Sequence, residues 1–144
     1  MLVQAKEREK VFKPYYLNNL TGGLLMKNIS KFMFFDWERF SKGKEYTVTG
    51  CSEWTDFNTK QHLGTKVEVI ISKDETDYRM KDGSTTSNLY ERLIFKVEKD
   101  VKIPTGVKVT LVNPTVTAYG KNKDGSFSNF LNCLSVKCED IITV

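Results

Sequence analysis

The stretch GVKVTLVNPTVTAYG, residues 106–120, decides how the fold is read. Val107, Val109 and Leu111 share one parity, whereas Val112, Val116 and Ala118 share the opposite one. In a strand of period two, the inward face therefore changes sides near Asn113-Pro114. Proline cannot donate to a ladder and is confined to edges and bulges, and one extra residue in a bulge flips the side-chain phase. A strand bent in this way lets a small sheet turn a corner and close on itself.

Working outward, KNKDGS carries Asp124-Gly125, a strong hairpin signal, into FSNFLNCLSVKCEDI (127–141), with Phe130, Leu134, Val136 and Cys138 on one parity. Upstream lies NLYERLIFKVE (88–98). It places Leu89, Leu93, Phe95 and Val97 on one face, with Glu91 the exception, and Tyr90, Arg92, Ile94 and Lys96 on the other. Before it come TKVEVIIS (65–72), with Val67, Val69 and Ile71 inward, and KEYTVTGCS (44–52), with Tyr46 and Val48 on one face. The connections EWTDFNTKQHLG and KDETDYRMKDGSTTS read as longer than tight turns, and KDVKIPT is too short for a helix. Five alternating runs with a bulged fourth predict an all-β fold, a five-stranded OB-like Greek-key barrel whose helix between strands 3 and 4 is reduced or absent. An SH3-like barrel is the alternative. ISKFMFFDWERF (29–40) reads as a short helix or a leading strand that caps the barrel end.

A chain of 144 residues is long enough for one core and short for two. Residues 1–25 lack strand alternation, and two readings stand. They are a mis-called extension before a natural start at Met26, since Gly22-Gly23-Leu24-Leu25 can be encoded as GGA GGT TTA TTA, a ribosome-binding sequence. Otherwise they are a genuine helix, AKEREKVF, with a Gly-Gly linker to a domain spanning 26–144. The net charge of +4 falls to +2 without that segment, which carries Lys6, Arg8, Lys10 and Lys13 against Glu7 and Glu9. Charge alone therefore names no partner. Three cysteines without a C-x-x-C argue against a disulfide scaffold or zinc knuckle. With no membrane-length apolar run and no signal-peptide core, a cytoplasmic location is expected.

Enzymatic chemistry is short of parts. The single histidine, His62, reads as a solvated loop residue, and Asp74, Glu75 and Asp77 as a charged solvated turn. No phosphate loop, dinucleotide fingerprint or nucleophile elbow occurs. The expectation is a binding protein with no catalytic residues, no metal and no cofactor.

The chain does supply aromatics beside cations. Trp54, Phe57, Lys60 and Lys66 lie in and after the first connection, and Tyr78 and Arg79 in the second. Tyr90, Arg92 and Lys96 lie on the third run, and Lys121, Lys123 and Phe127 in the last hairpin. Cations track phosphates and release counterions while aromatic faces stack bases without regard to sequence, so this pairing points to single-stranded DNA. The bland reading is a solvated strand face with aromatics that pack the core.

The segment VTLVNPTVTAYGKNKDGSFSNFLNCLSVKCEDI resembles the small helicase processivity proteins of Gram-positive integrative and conjugative elements. The pattern V-x-L-V-N-P-x-x-T-A-x-G, a glycine turn, an aromatic strand and an acidic ending carry the likeness, over about a quarter of the chain. Val109 or Thr110 through Gly120, then Phe127, Asn129, Glu139 and Asp140 are the matching residues. The resemblance implies a non-specific single-strand-binding accessory factor that supports a helicase beside a relaxase during replication or conjugation of a mobile element or phage. Two rivals stand beside it: an inhibitor or adaptor that binds a protein, and a small virion component.

Overall fold

A computed structural model describes residues 24–144; the expectations for the first 23 residues lie outside the described residues. The chain divides into two units at Met33/Phe34. The described part of the first holds a 3-10 turn, Ile29–Phe32.

The second unit begins with a five-residue helix, α1 (Trp37–Ser41), capped by Asp36, whose carboxylate accepts from the Arg39 backbone N–H at 3.1 Å. Seven strands follow: β1 (Lys44–Thr55), β2 (His62–Asp74), β3 (Arg92–Val97), β4 (Lys108–Val112), β5 (Thr115–Lys121), β6 (Phe127–Cys138) and β7 (Asp140–Thr143). They form one sheet in the order β5-β6-β3-β2-β1-β4-β7. β3 and β6 run parallel, and the other neighbours are antiparallel.

The all-β class is as expected from the alternation, and five runs become seven strands because two of them break. The fourth breaks at Asn113, which holds a left-handed φ of 46° before Pro114. The fifth breaks at Glu139, whose N–H donates to the Val112 carbonyl at 3.0 Å. The anticipated parity change is present: Val109 is buried and Leu111 half-buried before the break, Val116 and Ala118 half-buried after it.

Alternation places the core on one face of the strands. Tyr46 and Val48 of β1, Val67, Val69 and Ile71 of β2, Phe95 and Val97 of β3, and Val136 and Cys138 of β6 are all buried. Trp37 of α1 stacks on Tyr46, ring centres 5.5 Å apart, and meets Phe95 edge-on at 5.9 Å. The helix thus covers the aromatic end of this core, adding the directional ring contacts that aromatic clusters favour. Burial pushes the Tyr46 hydroxyl up to about 12, and Ser41 meets it at 2.6 Å.

Several expectations need correction. β1 and β2 extend three residues further into the first connection than the alternation indicated, leaving only 56–61 as the turn. β3 starts at Arg92, because Tyr90 has a left-handed φ of 69° and its N–H turns to the Ile71 carbonyl at 2.7 Å. Leu89 and Phe130, read as inward, are exposed; the first precedes the strand, and the second lies in a bulge.

Candidate nucleic-acid interface

The outer face of β2, β3 and β6 is built by pairing register. Lys66 faces Lys96, and Lys96 faces Lys137, so three lysines sit side by side on adjacent strands. Each alternates with buried neighbours, Val67, Val97 and Val136, which fixes the lysines outward. Like charges placed directly opposite are destabilising in a sheet, so this row is kept against a local cost. Ile94 and Arg92 continue the face along β3. Among the described residues, no ion pair involves Lys66, Lys96 or Arg92, while Lys137 meets Glu98 at 3.3 Å. Glu68, opposite Ile94, and Glu98 are the acids interspersed with these four cations.

Trp54, in β1 opposite Gly64, brings an aromatic surface to this row. The Lys96 ammonium lies 5.7 Å and the Lys137 ammonium 5.5 Å from its ring centre, within the range where the ring quadrupole attracts a cation. Gly64 permits the close approach of β2 to the end of β3, since a Cβ there would fall 2.0 Å from the Val97 carbonyl oxygen. Lys137 was missing from the sequence-based set, although its signal was legible: it is the outward residue between Val136 and Cys138.

The other predicted residues do not all gather there. Phe57 and Lys60 sit on the β1-β2 turn, where the Lys60 ammonium lies 5.1 Å from the Phe57 ring centre. Asp56 organises this turn by accepting from the Asn58 and Thr59 N–H groups at 2.9 and 2.8 Å. Backbone donation holds its carboxyl below the usual range. Lys121, Lys123 and Phe127 lie at the far end of the β5-β6 hairpin.

Tyr78 is a structural residue. Its hydroxyl donates to Asp74 Oδ2 at 2.7 Å and accepts from the Asn88 side-chain amide at 2.8 Å. Asp74, expected in a solvated turn, instead has its side chain buried with that of Lys44, their ion pair measuring 3.4 Å. The Lys44 ammonium also donates to the Phe40 carbonyl and the Thr76 hydroxyl, each at 2.8 Å, and lies 4.1 Å from the Phe40 ring centre. Burial alone would raise the Asp74 carboxyl; hydrogen bonds from Tyr78, Asn88 and Thr76 outweigh it and hold the group well below the usual range. This network anchors both ends of the 75–91 connection. Arg79 and Tyr90 are exposed on that connection, both with left-handed backbones, and Tyr90 shares no strand face with Arg92.

His62 opens β2 instead of lying in a loop. Its Nδ1 meets Glu53 at 2.9 Å and its Nε2 meets Asp100 at 2.5 Å. Hydrogen bonding to Glu53, then Asp100, raises its pKa. With each ring nitrogen committed to a different carboxylate, the trio ties β1, β2 and the 98–107 connection together. No group of metal-ligating side chains suited to an ion occurs among the described residues. No helix among them is long and apolar enough to cross a membrane.

Comparison with protein-family models, with curated proteins and with solved structures returns no match.

Proposed function

We propose that the protein binds single-stranded DNA without sequence preference, across the outer face of β2, β3 and β6, as a non-enzymatic accessory factor. The observation that carries this reading is the in-register row Lys66–Lys96–Lys137 with Trp54 beside it. Adjacent strands lie about 4.8 Å apart, so the row spans roughly 10 Å across the sheet. A phosphate backbone laid along it would neutralise the like charges that the fold otherwise holds together. A base could then stack on the exposed part of Trp54, an interaction worth about 1–3 kcal/mol and indifferent to base identity.

Taking β4 with β5 as one bent strand and β6 with β7 as another gives a five-stranded OB-like barrel. The parallel β3·β6 pair and the antiparallel β1·β4 pair support it. The facing breaks do too, where the Asn113 side-chain amide donates to Glu139 at 2.9 Å. In such barrels the second and third strands bind oligonucleotides; Lys66 and Lys96 lie on that pair here, with Lys137 on the adjacent β6. The resemblance of the C-terminal third to helicase processivity proteins extends the proposal to replication or conjugation of a mobile element, beside a helicase or relaxase.

Lys137→Glu tests the site, because it reverses charge at one end of the row without touching the core. Single-strand affinity, read by anisotropy of a labelled oligonucleotide, should fall by at least tenfold. Unchanged affinity would remove this face from the site, and no wild-type binding at low salt would turn the reading toward a protein partner.

A further inference from the structure

Beyond the lysine row, the β5-β6 hairpin has an architecture of its own. β6 pairs with β3 only over Val136 to Cys138, whereas β5 and β6 remain paired from Thr115↔Lys137 to Lys121↔Phe127. The rest is a two-stranded ribbon with neither outer edge paired to another strand among the described residues. Its far end exposes Phe127, Phe130 and Leu131 to 80%, 76% and 60%.

That end is built, not frayed. Tyr119 faces Cys133 and Gly120 faces Ser128, so residues 129–132 loop out of the ladder. The Asn132 side-chain amide bridges the gap, accepting from the Lys121 N–H and donating to the Lys121 carbonyl, each at 2.9 Å. Gly120 is buried beneath the bulge, where a Cβ would fall 2.3 Å from the Phe130 carbonyl oxygen. Lys121 and Lys123 flank the apolar group and, among the described residues, pair with no carboxylate; the nearby Asp124 is occupied by the Ser126 N–H at 2.9 Å and hydroxyl at 2.6 Å.

We infer that this arm engages duplex DNA where it meets the single strand, with Phe127, Phe130 and Leu131 acting as a wedge against the terminal base pair. The inference rests on the single-strand reading of the lysine row. From Lys137 to Phe127 the ribbon covers about six strand steps, roughly 20 Å at 3.3–3.4 Å each. It runs along the strands, while the lysine row runs across them, so the two contacts suit two differently directed segments of nucleic acid. A two-stranded ribbon is the size of element that a major groove admits. Apolar side chains such as Phe and Leu unstack base steps by insertion, and the flanking lysines supply the phosphate contacts that hold a ribbon in place.

The test compares a single-stranded oligonucleotide with a duplex carrying the same oligonucleotide as a tail, with 2-aminopurine in the terminal pair. The wild type should bind the tailed duplex at least tenfold more tightly than the tail alone and brighten the 2-aminopurine. Phe127→Ser with Phe130→Ser should abolish both effects while leaving affinity for the tail within twofold. Equal affinity for the two DNAs without brightening, or a variant that loses tail and duplex binding alike, would overturn the wedge. Brightening by a wild type that does not bind the tail would overturn the lysine-row reading, and with it the placement of the arm at a single-strand junction.

Discussion

Lys96 and Lys137 face each other on parallel strands, and both ammonium groups lie within 6 Å of the same Trp54 ring centre, at 5.7 and 5.5 Å. The arrangement sets a local repulsion beside an aromatic surface, and the two consequences can be measured separately.

Relieving the row should stabilise the free protein. Lys66 faces Lys96 and touches no counter-ion among the described residues. Lys66→Thr keeps a strand-favouring side chain and removes one like-charge contact, so denaturant unfolding should show a gain of about 0.2–1 kcal/mol. The same substitution should weaken single-strand binding. A change of the same sign in both properties would indicate that Lys66 acts through the fold.

The Lys44–Asp74 pair should behave as a buried ion pair. Removing one partner strands the other, so Asp74→Ala should cost about 3–5 kcal/mol in equilibrium unfolding. The double replacement Lys44→Met with Asp74→Leu should cost clearly less. Because the folded Asp74 carboxyl titrates below its ordinary value, its contribution is fully present above the unfolded pKa. It is lost as pH falls through the folded one. Asp74→Asn should therefore flatten the acid limb of the stability curve.

How much of this was legible in the sequence follows from what each signal measures. The inward parity of β1, β2 and β3 needs only period two, so Val48, Val67, Val69, Phe95 and Val97 were readable as core. Pro114 marked the break in the fourth run by its missing donor. Parity also separated Lys66, Lys96 and Arg92 from the core, but their convergence with Lys137 depends on the register of two parallel strands that are far apart in the chain. Tyr78 looked like a ligand-facing aromatic because nothing local announces that Asp74 is buried against Lys44, thirty residues earlier. Tyr90 was misassigned because its left-handed backbone is unusual outside glycine.

His62 should titrate above an ordinary histidine. The chain contains one histidine, so its ring signals in an NMR pH titration are identified at once. Glu53 and Asp100 stabilise the imidazolium, and the stability from this trio is fully present below the unfolded pKa and lost as pH rises through the folded one. Asp100→Asn should move the midpoint downward. An unmoved midpoint would show that Asp100 does not hold the ring in solution.

Gly64 should tolerate no side chain. It combines a φ of 153° with a backbone approach so close that a Cβ would fall 2.0 Å from the Val97 carbonyl oxygen. Gly64→Ala should destabilise by about 1–3 kcal/mol, the range of overpacking, and should disturb the Trp54 environment across the pair. Thermal unfolding followed by tryptophan fluorescence reads both, and wild-type behaviour would contradict the close strand approach.

The central claim is that phosphates lie along the lysine row, and the salt dependence of single-strand binding tests it most directly. Affinity for a labelled oligonucleotide should fall with a log–log slope of about −2 or steeper, since three phosphate contacts at about −0.7 each set the minimum. Replacing Lys66, Lys96 and Lys137 together with alanine should make that slope about 2 shallower. A slope near zero in the wild type, or one unchanged in the triple variant, would contradict the assignment of this face to a phosphate backbone.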